Sequence, residues 1–217
     1  MNSLLKQIPL FSYLNNGELN SLAKVVHKKT FPKNTIIFSE GDEADSLYII
    51  LRGKVRALLN NIHGKELVLT IQEPGEYFGE LALIDDDPRS ATIMTKEETQ
   101  LLILPGNAFK NLLRDNPDLI FNILKGLTAR LRKATDKIED LAFMNVYGRI
   151  SRVLIQRAKH VGQKLVIEER LTHQEIANMI GATREIVSRI LKKLSDAGYI
   201  SIKDKHIEII KTLPLSF

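Results

Sequence analysis

The chain has 217 residues, no cysteine and a formal net charge of +5. This length suits two domains rather than one, and the missing cysteines exclude disulfides, thiol nucleophiles and iron–sulfur clusters. No apolar run approaches the roughly 18 residues needed to span a membrane, and the start, MNSLLKQIPLF, does not have the pattern of a secretory signal. We therefore expect a cytoplasmic protein with no membrane association.

The positive charge is concentrated toward the C-terminal end. Residues 144–217 carry 13 basic and 7 acidic side chains, whereas residues 1–116 carry 13 and 15. An asymmetry of this kind favours a polyanionic partner such as nucleic acid, and a solvated lysine-rich face is the alternative.

The N-terminal half predicts a β domain. The N-terminal segment LLKQIPLFSYLNNGELNSLAKVV indicates one or two short helices packed on that domain. From about residue 30 to 104, the short runs TIIF, SLYIIL, KVRALL, ELVLTI and QLLILP are separated by turn clusters. Strands at this spacing are typical of a β-sandwich or barrel. Glycines recur every 11 or 12 residues and are interpreted as turn residues; they are Gly41, Gly53, Gly64 and Gly75.

Two charged residues, Glu80 and Arg89, lie in the otherwise apolar segment FGELALIDDDPRSATIM. A charge beside a core costs several kcal/mol unless a partner compensates it. The two side chains therefore either satisfy each other or bind a polar ligand. The neighbouring run Asp85–Asp87 could bind a divalent cation, but a solvated turn is favoured because no additional ligands are evident.

A long helix is predicted over 117–143, beginning at Pro117. Apolar residues recur along it with the 4-3-4-3 spacing of a heptad seam. The seam consists of Ile120, Leu124, Leu127, Leu131, Ala134, Ile138 and Leu141. Such a narrow seam between charged flanks indicates pairing with a second copy, and hence a homodimer. The alternative is a core helix lying on its own barrel.

The C-terminal segment predicts a helix-turn-helix. It opens with the amphipathic helix YGRISRVLIQRAKH and a short strand pair around LVIE. Thr172 and Glu175 form a capping box, Gly181 breaks the first helix, and a second helix starts at Thr183. The alternating run ISIKDKHIEII then predicts a β-hairpin wing.

One face of the second helix is apolar and the opposite face is polar. The apolar residues assigned to the core are Val187, Ile190, Leu191 and Leu194. The residues left to face a partner are Arg184, Glu185, Ser188, Arg189 and Lys192. In the major groove an arginine can bond guanine and a carboxylate can accept from cytosine. A solvated Glu185–Arg189 salt bridge is the alternative interpretation.

These segments resemble the cyclic AMP receptor (CRP/FNR) family of bacterial transcription regulators over nearly the whole chain. The resemblance rests on FPKNTIIFSEGDEADSLYIILRGKVR, PGEYFGELALIDDDPRSAT, LAFMNVYGRI and THQEIANMIGATREIVSRILKKL. It implies an α+β fold in three parts. These are a jelly-roll-like cyclic-nucleotide-binding β-barrel at 1–116, a dimerisation helix at 117–143 and a winged helix-turn-helix DNA-binding domain at 144–217.

The resemblance implies that cyclic AMP is the allosteric ligand. Glu80 would bond the ribose 2′-hydroxyl, and Arg89 would pair with the cyclic phosphate. Gly79 would let the backbone approach the sugar. Leu81, Ser90 and Ala91 complete the expected nucleotide site in the barrel, with the backbone N–H of Ala91 and the hydroxyl of Ser90 on the phosphate.

The base-contacting position on the long helix departs from the family pattern. Where the pattern has two adjacent hydroxyl residues, this chain has Ala134 and Thr135, so Thr135 alone is expected to reach the base. Recognition of the base is therefore less defined than recognition of phosphate and ribose. Cyclic GMP, a cyclic dinucleotide or the absence of any ligand remain alternatives.

For DNA, the resemblance places Arg184, Glu185 and Arg189 at base-reading positions and implies a palindrome of TGTGA-like half-sites. The remaining expected DNA contacts are Thr172, His173, Gln174, Thr183, Ser188 and Lys192. The implied partners are double-stranded DNA, cyclic AMP, a second copy through 117–143 and RNA polymerase.

An enzyme is the competing class of protein, and the residue pattern disfavours it. The five histidines lie far apart without metal-like spacing, and neither a Ser/His/Asp grouping nor a GxxxxGK phosphate loop occurs. Haem sensing has little support because His63 has no visible partner ligand. We therefore expect no catalytic residues and no metal ligands.

Overall fold

The structure is a computed structural model that describes residues 1–162, 164–203 and 206–214. It divides into two compact units: Met1–Leu59 with Leu69–Arg132, and Asn60–Val68 with Lys133–Phe217. The boundaries of these units differ from the predicted domain borders at residues 116 and 143. The division into three functional parts stays a prediction.

The first unit begins with the two short helices that the sequence predicts. They are α1 (Asn2–Gln7) and α2 (Asn16–Val25), with a 3₁₀ turn at Pro9–Phe11 between them. A capping box starts α2, because the Asn15 side chain accepts from the Glu18 N–H at 3.0 Å and the Glu18 carboxylate accepts from the Asn15 N–H at 2.7 Å. Leu5 and Phe11 are fully buried in the core that these helices share with the strands.

Eight strands, β1 to β8, form two four-stranded sheets, and most of their residues belong to the first unit. In chain order with their helices they are β1 (His27–Phe31), β2 (Ile36–Phe38), β3 (Ser46–Arg52), β4 (Val55–Asn60), β5 (Glu66–Gln72), β6 (Tyr77–Phe78), α3 (Leu81–Ile84), β7 (Thr92–Thr95), β8 (Thr99–Pro105) and α4 (Gly106–Asp115). The sheet orders are β1-β8-β3-β6 and β2-β7-β4-β5. The result is jelly-roll-like rather than a closed barrel.

The strand prediction holds for the apolar runs and misses three other strands. The missed strands are β1, β6 and β7. The sequence of β1, HKKTF, has four exposed residues, so no apolar alternation indicates it. It is nevertheless held as an edge strand through pairing with β8, from His27 opposite Ile103 to Phe31 opposite Thr99.

The turn glycines have the backbone conformation that the spacing predicts. Gly41, Gly53, Gly64 and Gly75 have φ values of +86°, +84°, +72° and +89°. At Gly53 a Cβ atom would also lie 2.4 Å from the Glu98 carbonyl oxygen. Another residue would therefore face both backbone strain and a collision at that turn.

The long helix, α5, spans Pro117–Phe143 as predicted. Leu119 and Ile123, which are not seam residues, are buried in the core of the first unit. Of the seam, Leu127 packs partly on that core, whereas Leu131 and Ile138 are 67% and 66% exposed. One face of the helix therefore packs on the core of the first unit, whereas most of the heptad seam lies on another face and is exposed.

The second unit contains the predicted helix-turn-helix. Its further elements are α6 (Val146–Arg157), β9 (Lys159–Val161), β10 (Lys164–Ile167), α7 (His173–Ile180), α8 (Arg184–Asp196), β11 (Ile200–Lys203) and β12 (His206–Ile209). Thr172 and Glu175 form the predicted capping box, and Gly181 ends α7 with a left-handed φ of +69°. The apolar faces of α7 and α8 meet in one core.

The predicted wing is an antiparallel pair of β11 and β12, in which Ile200 lies opposite Ile209. Its turn at 204–205 lies outside the described residues. The four wing and hairpin strands form one sheet in the order β11-β12-β10-β9. Among the residues that the structure describes, no helix combines the length and apolar character that a bilayer crossing requires.

Candidate ligand cavity and candidate DNA-binding surface

A cavity of about 170 Å³ lies in the first unit and brings together residues of the segment 79–91. Six of the predicted ligand residues line it: Gly79, Glu80, Leu81, Arg89, Ser90 and Ala91. The segment reaches the cavity because β6, the short helix α3 and β7 follow one another around it. Arg130 of α5 also lines the cavity.

Glu80 is buried, with 1% of its surface exposed. Arg130 Nη1 donates to Glu80 Oε1 at 2.5 Å, and Arg130 Nη2 donates to the Tyr77 carbonyl oxygen at 2.5 Å. The second carboxylate oxygen, Oε2, is buried without a hydrogen-bond partner among the described residues. Burial raises the pKa of Glu80, although the Arg130 guanidinium acts in the opposite direction.

Arg89 is 3% exposed and is held by backbone carbonyls. Its Nη1 donates to Gly79 O at 2.8 Å, and its Nη2 donates to Ser46 O at 2.9 Å and lies 3.3 Å from Asp45 Oδ1. The guanidinium carbon lies 4.2 Å from the centroid of the Phe38 ring. Its Nε atom is buried and has no hydrogen-bond partner within the described chain.

Gly79 is required here for a reason that the sequence did not reveal. Its φ is +85°, and a Cβ atom at this position would lie 2.6 Å from Arg89 Nη1 and 3.2 Å from Ser46 O. Glycine therefore makes room for the arginine itself. The predicted close approach of a sugar to this backbone stays a prediction.

Glu80 and Arg89 do not bond each other in the described chain, since each is held by a different partner. The interpretation of the two as a mutual structural pair is therefore wrong. The residue that sequence reasoning missed is Arg130, one of the charged residues that flank the heptad seam. No local pattern identifies it, because its partner Glu80 is 50 residues away in the chain.

The seventh predicted ligand residue, Thr135, lies on α5 within the second compact unit. Its side chain is exposed. Its predicted contact with the nucleotide base stays a prediction.

The helix α8 presents a charged face opposite its buried one. Val187, Ile190, Leu191 and Leu194 are buried, as predicted. Thr183 caps the helix by accepting from the Ile186 N–H at 3.4 Å. The predicted DNA residues of α8 are all exposed, namely Arg184, Glu185, Ser188, Arg189 and Lys192.

The alternative interpretation of this face required a Glu185–Arg189 ion pair. Both residues are described, and no hydrogen bond or ion pair joins them. Instead, the backbone N–H of Glu185 and the Thr183 side chain lower the pKa of the Glu185 carboxyl group.

Residues at the start of α7 lie beside the start of α8. Thr172 and Gln174 are exposed and His173 is half-buried. Together with Arg184 they line an open cavity of about 580 Å³ whose floor includes Leu171 and Leu191. The fold thus brings predicted DNA residues from two helices to one surface. Across the described ranges, no group of three or more His, Cys, Asp or Glu side chains is arranged to hold a metal ion.

Comparison with known proteins agrees with both regions. Residues 28–116 match the family model of the cyclic nucleotide-binding domain, and residues 148–213 match that of the Crp-like helix-turn-helix domain. The chain is 32% identical over 213 residues to the CRP-like cAMP-activated global transcriptional regulator of Mycobacterium tuberculosis H37Rv, covering 96% of this chain and 95% of that protein. It is also 32% identical over 191 residues to the cAMP-activated global transcriptional regulator CRP of Salmonella typhimurium, covering 86% and 90%.

Among solved structures, the c-di-GMP-responsive global regulator CLP of Xanthomonas campestris has a TM-score of 0.79 and 29% identity, covering 91% of this chain and 100% of that one. These matches define the class: a transcription regulator in which a cyclic nucleotide-binding domain precedes a helix-turn-helix DNA-binding domain. Within that class, the chain belongs to the CRP/FNR family.

Proposed function

We propose that this regulator binds cyclic AMP in the cavity lined by Glu80 and Arg89. As a homodimer it then binds palindromic promoter DNA with TGTGA-like half-sites. In this proposal the nucleotide is an allosteric ligand and not a catalytic cofactor, and the chain is a regulator and not an enzyme.

The observation that carries the proposal is a pair of buried polar atoms, on two residues that line one cavity, for which the described part of the chain offers no hydrogen-bond partner. Glu80 Oε2 is an acceptor that a ribose hydroxyl would satisfy, and Arg89 Nε is a donor that a phosphate oxygen would satisfy. Leaving such atoms unpaired costs about 1–3 kcal/mol each. A ligand that carries both a hydroxyl and an anionic phosphodiester therefore fits the cavity.

The choice among cyclic nucleotides rests on the relatives and on size. The relatives in Mycobacterium tuberculosis and Salmonella typhimurium are described as cAMP-activated, whereas the structurally similar Xanthomonas campestris regulator is c-di-GMP-responsive. A cavity of about 170 Å³ favours a mononucleotide over a dinucleotide, which is about twice as large. Cyclic dinucleotide binding is the second candidate.

The homodimer is supported by the exposed seam of α5. Leu124, Leu131 and Ile138 are half to two-thirds exposed on a helix whose other face is buried. Pairing with the same helix of a second copy would bury these residues in a heptad interface. Two recognition helices related by two-fold symmetry would then match a palindromic site. Contact with RNA polymerase and residence in the cytoplasm belong to the same proposal.

The test is calorimetric titration of the purified full chain with cyclic AMP, cyclic GMP and c-di-GMP in parallel. We expect one cyclic AMP per chain, weaker binding of cyclic GMP and no binding of c-di-GMP at the same concentrations. Binding of c-di-GMP alone would move the proposal to the second candidate. Heat from none of the three would refute a cyclic nucleotide ligand.

A further inference from the structure

The long helix α5 contains one glycine, Gly126, at the place where Tyr77 of β6 packs against the helix. A Cβ atom at this position would lie 2.6 Å from the Tyr77 hydroxyl oxygen and 3.6 Å from the ring carbon Cζ. Glycine inside a helix is less favourable than alanine, because it has more backbone freedom to lose on folding. The missing side chain has a use here, since it leaves space for the hydroxyl group.

Tyr77 cannot move away from the helix without losing other contacts. Its main chain pairs with Ile49 of β3, and its carbonyl oxygen accepts from Gln72 Nε2 at 2.9 Å. Its hydroxyl oxygen is buried and has no hydrogen-bond partner among the described residues. The hydroxyl group therefore contributes to packing beside Gly126, and the ring packs on the core of the first unit.

Arg130 follows Gly126 by one helical turn and lies on the same face of α5. Its guanidinium carbon lies 4.9 Å from the centroid of the Tyr77 ring, and its Nη2 donates to the Tyr77 carbonyl oxygen at 2.5 Å. The Arg130 side chain is 33% exposed, so without these contacts it would retain much of its rotamer freedom. Tyr77 therefore holds the guanidinium group whose Nη1 donates to Glu80.

We propose that Tyr77 and Gly126 are positioning residues for the ribose subsite of the ligand cavity. Their contact sets the separation of β6 and α5 at which Arg130 reaches Glu80. Since Arg130 occupies Oε1 of that carboxylate, the buried Oε2 is left to accept from a ribose 2′-hydroxyl. The inference rests on the proposed function and adds a selectivity to it, namely for a ribose over a 2′-deoxyribose.

The first experiment is calorimetric titration of the parent and of Gly126→Ala with cyclic AMP and with 2′-deoxy cyclic AMP. Alanine is the better helix former, so the helix itself is retained. We expect Gly126→Ala to bind cyclic AMP about tenfold more weakly, as for the loss of a hydrogen bond to a charged group. It should bind 2′-deoxy cyclic AMP as the parent does.

Lys125→Ala is the matched control, because Lys125 is the exposed neighbour of Gly126 on the same helix. This variant should bind both ligands like the parent. Unchanged affinity for cyclic AMP in Gly126→Ala, or equal losses for the two ligands, overturns the inference.

A compensating exchange separates positioning from a general disturbance of the fold. Tyr77→Phe removes the hydroxyl group, and the distance of 3.6 Å to the ring carbon then leaves ordinary contact space for an alanine methyl group. The double variant of Gly126→Ala with Tyr77→Phe conserves the packed volume and keeps the ring and the carbonyl oxygen that contact Arg130. It should therefore bind cyclic AMP within about twofold of the parent.

A double variant that binds no better than Gly126→Ala overturns the positioning role. If Gly126→Ala alone does not fold, Tyr77→Leu removes the ring instead. That variant must then lose affinity for cyclic AMP and keep its affinity for 2′-deoxy cyclic AMP, and equal losses for the two ligands again overturn the inference.

A ligand-free measurement keeps this inference distinct from the proposed ligand. Burial raises the pKa of Glu80, whereas the Arg130 guanidinium lowers it, as does Arg89. Displacement of Arg130 in Gly126→Ala should therefore raise the pKa of Glu80 further, as measured by NMR of the labelled carboxyl carbon. The double variant should restore the parent value, and Arg130→Met gives the pKa for complete loss of the guanidinium group.

If the parent binds no cyclic nucleotide in calorimetry, the proposed ligand is wrong and the pKa of Glu80 decides this inference by itself. A higher pKa in Gly126→Ala that returns in the double variant supports the positioning role. An unchanged pKa in Gly126→Ala overturns it.

Discussion

The ligand cavity and the DNA-binding surface use the same residue types in opposite surroundings. Glu80 and Arg89 are almost fully buried and are held by Arg130 and by backbone carbonyls. Arg184 and Arg189 are exposed on α8. Buried charges act in a low effective dielectric and release few counterions, whereas exposed ones act on DNA largely through counterion release. The affinity for the ligand should therefore depend on individual hydrogen bonds and on pH. The affinity for DNA should depend on salt concentration and on base sequence.

The largest expected effect concerns Arg89. Arg89→Leu should weaken cyclic AMP binding by about 100-fold or more, because a charge-assisted contact worth roughly 2–3 kcal/mol or more is lost. The measurement is calorimetry, with Arg52→Leu as the control because Arg52 is exposed. Since Arg89 also bonds Ser46 O and Gly79 O, thermal unfolding must be recorded for the same samples. A folded variant that binds like the parent would show that the site is misplaced.

The second largest expected effect concerns the recognition of DNA bases by the exposed face of α8. Arg184→Ala should cost about 1–3 kcal/mol on the cognate site and relax preference at one half-site position. Lys192→Ala is the matched comparison. It should weaken all sequences alike and lower the slope of log affinity against log salt by about one. Competition binding against cognate and random DNA measures both, and equal losses on the two DNAs for Arg184→Ala would refute base reading.

A smaller effect concerns pH at the buried carboxylate. Burial raises the pKa of Glu80 in the free protein, while a ribose hydroxyl donating to the carboxylate favours its ionised form. Ligand binding should therefore release a proton as pH falls toward the raised pKa, and affinity should decline there. Titrations from about pH 7 to about pH 4.5 test this. Glu80→Gln should bind more weakly but lose this pH dependence, and a parent affinity constant over the range contradicts the expectation.

The smallest expected effect on ligand affinity concerns Thr135, next to the seam position Ala134. Thr135→Ala should keep most of the cyclic AMP affinity supplied by Arg89 and Glu80. It should lose much of the ligand-induced gain in DNA binding and some preference for cyclic AMP over cyclic GMP. The measurement is specific-DNA affinity with and without saturating nucleotide at fixed salt. An unchanged ratio would exclude Thr135 from the coupling route.

Local patterns in the sequence determined much of the architecture. The capping box at Thr172 and the left-handed Gly181 fixed the helix-turn-helix, because both act within a few residues of the chain. The start of α5 at Pro117 and its seam followed from proline chemistry and from heptad spacing. Strands with apolar runs were found for the same reason, and β1 was missed because pairing with β8 maintains it without an apolar pattern of its own.

Only the tertiary structure shows which groups pair with the buried charged side chains. The sequence placed Glu80 and Arg89 in an apolar segment and raised the possibility that they pair, yet Arg130 bonds Glu80 from 50 residues away. Likewise, nothing local links Tyr77 to α5, although its carbonyl oxygen accepts from Arg130 across 53 residues. Periodicity reports which side of an element is buried. A bond between two elements depends instead on how the intervening chain folds, and so the partners of buried polar groups become visible only in three dimensions.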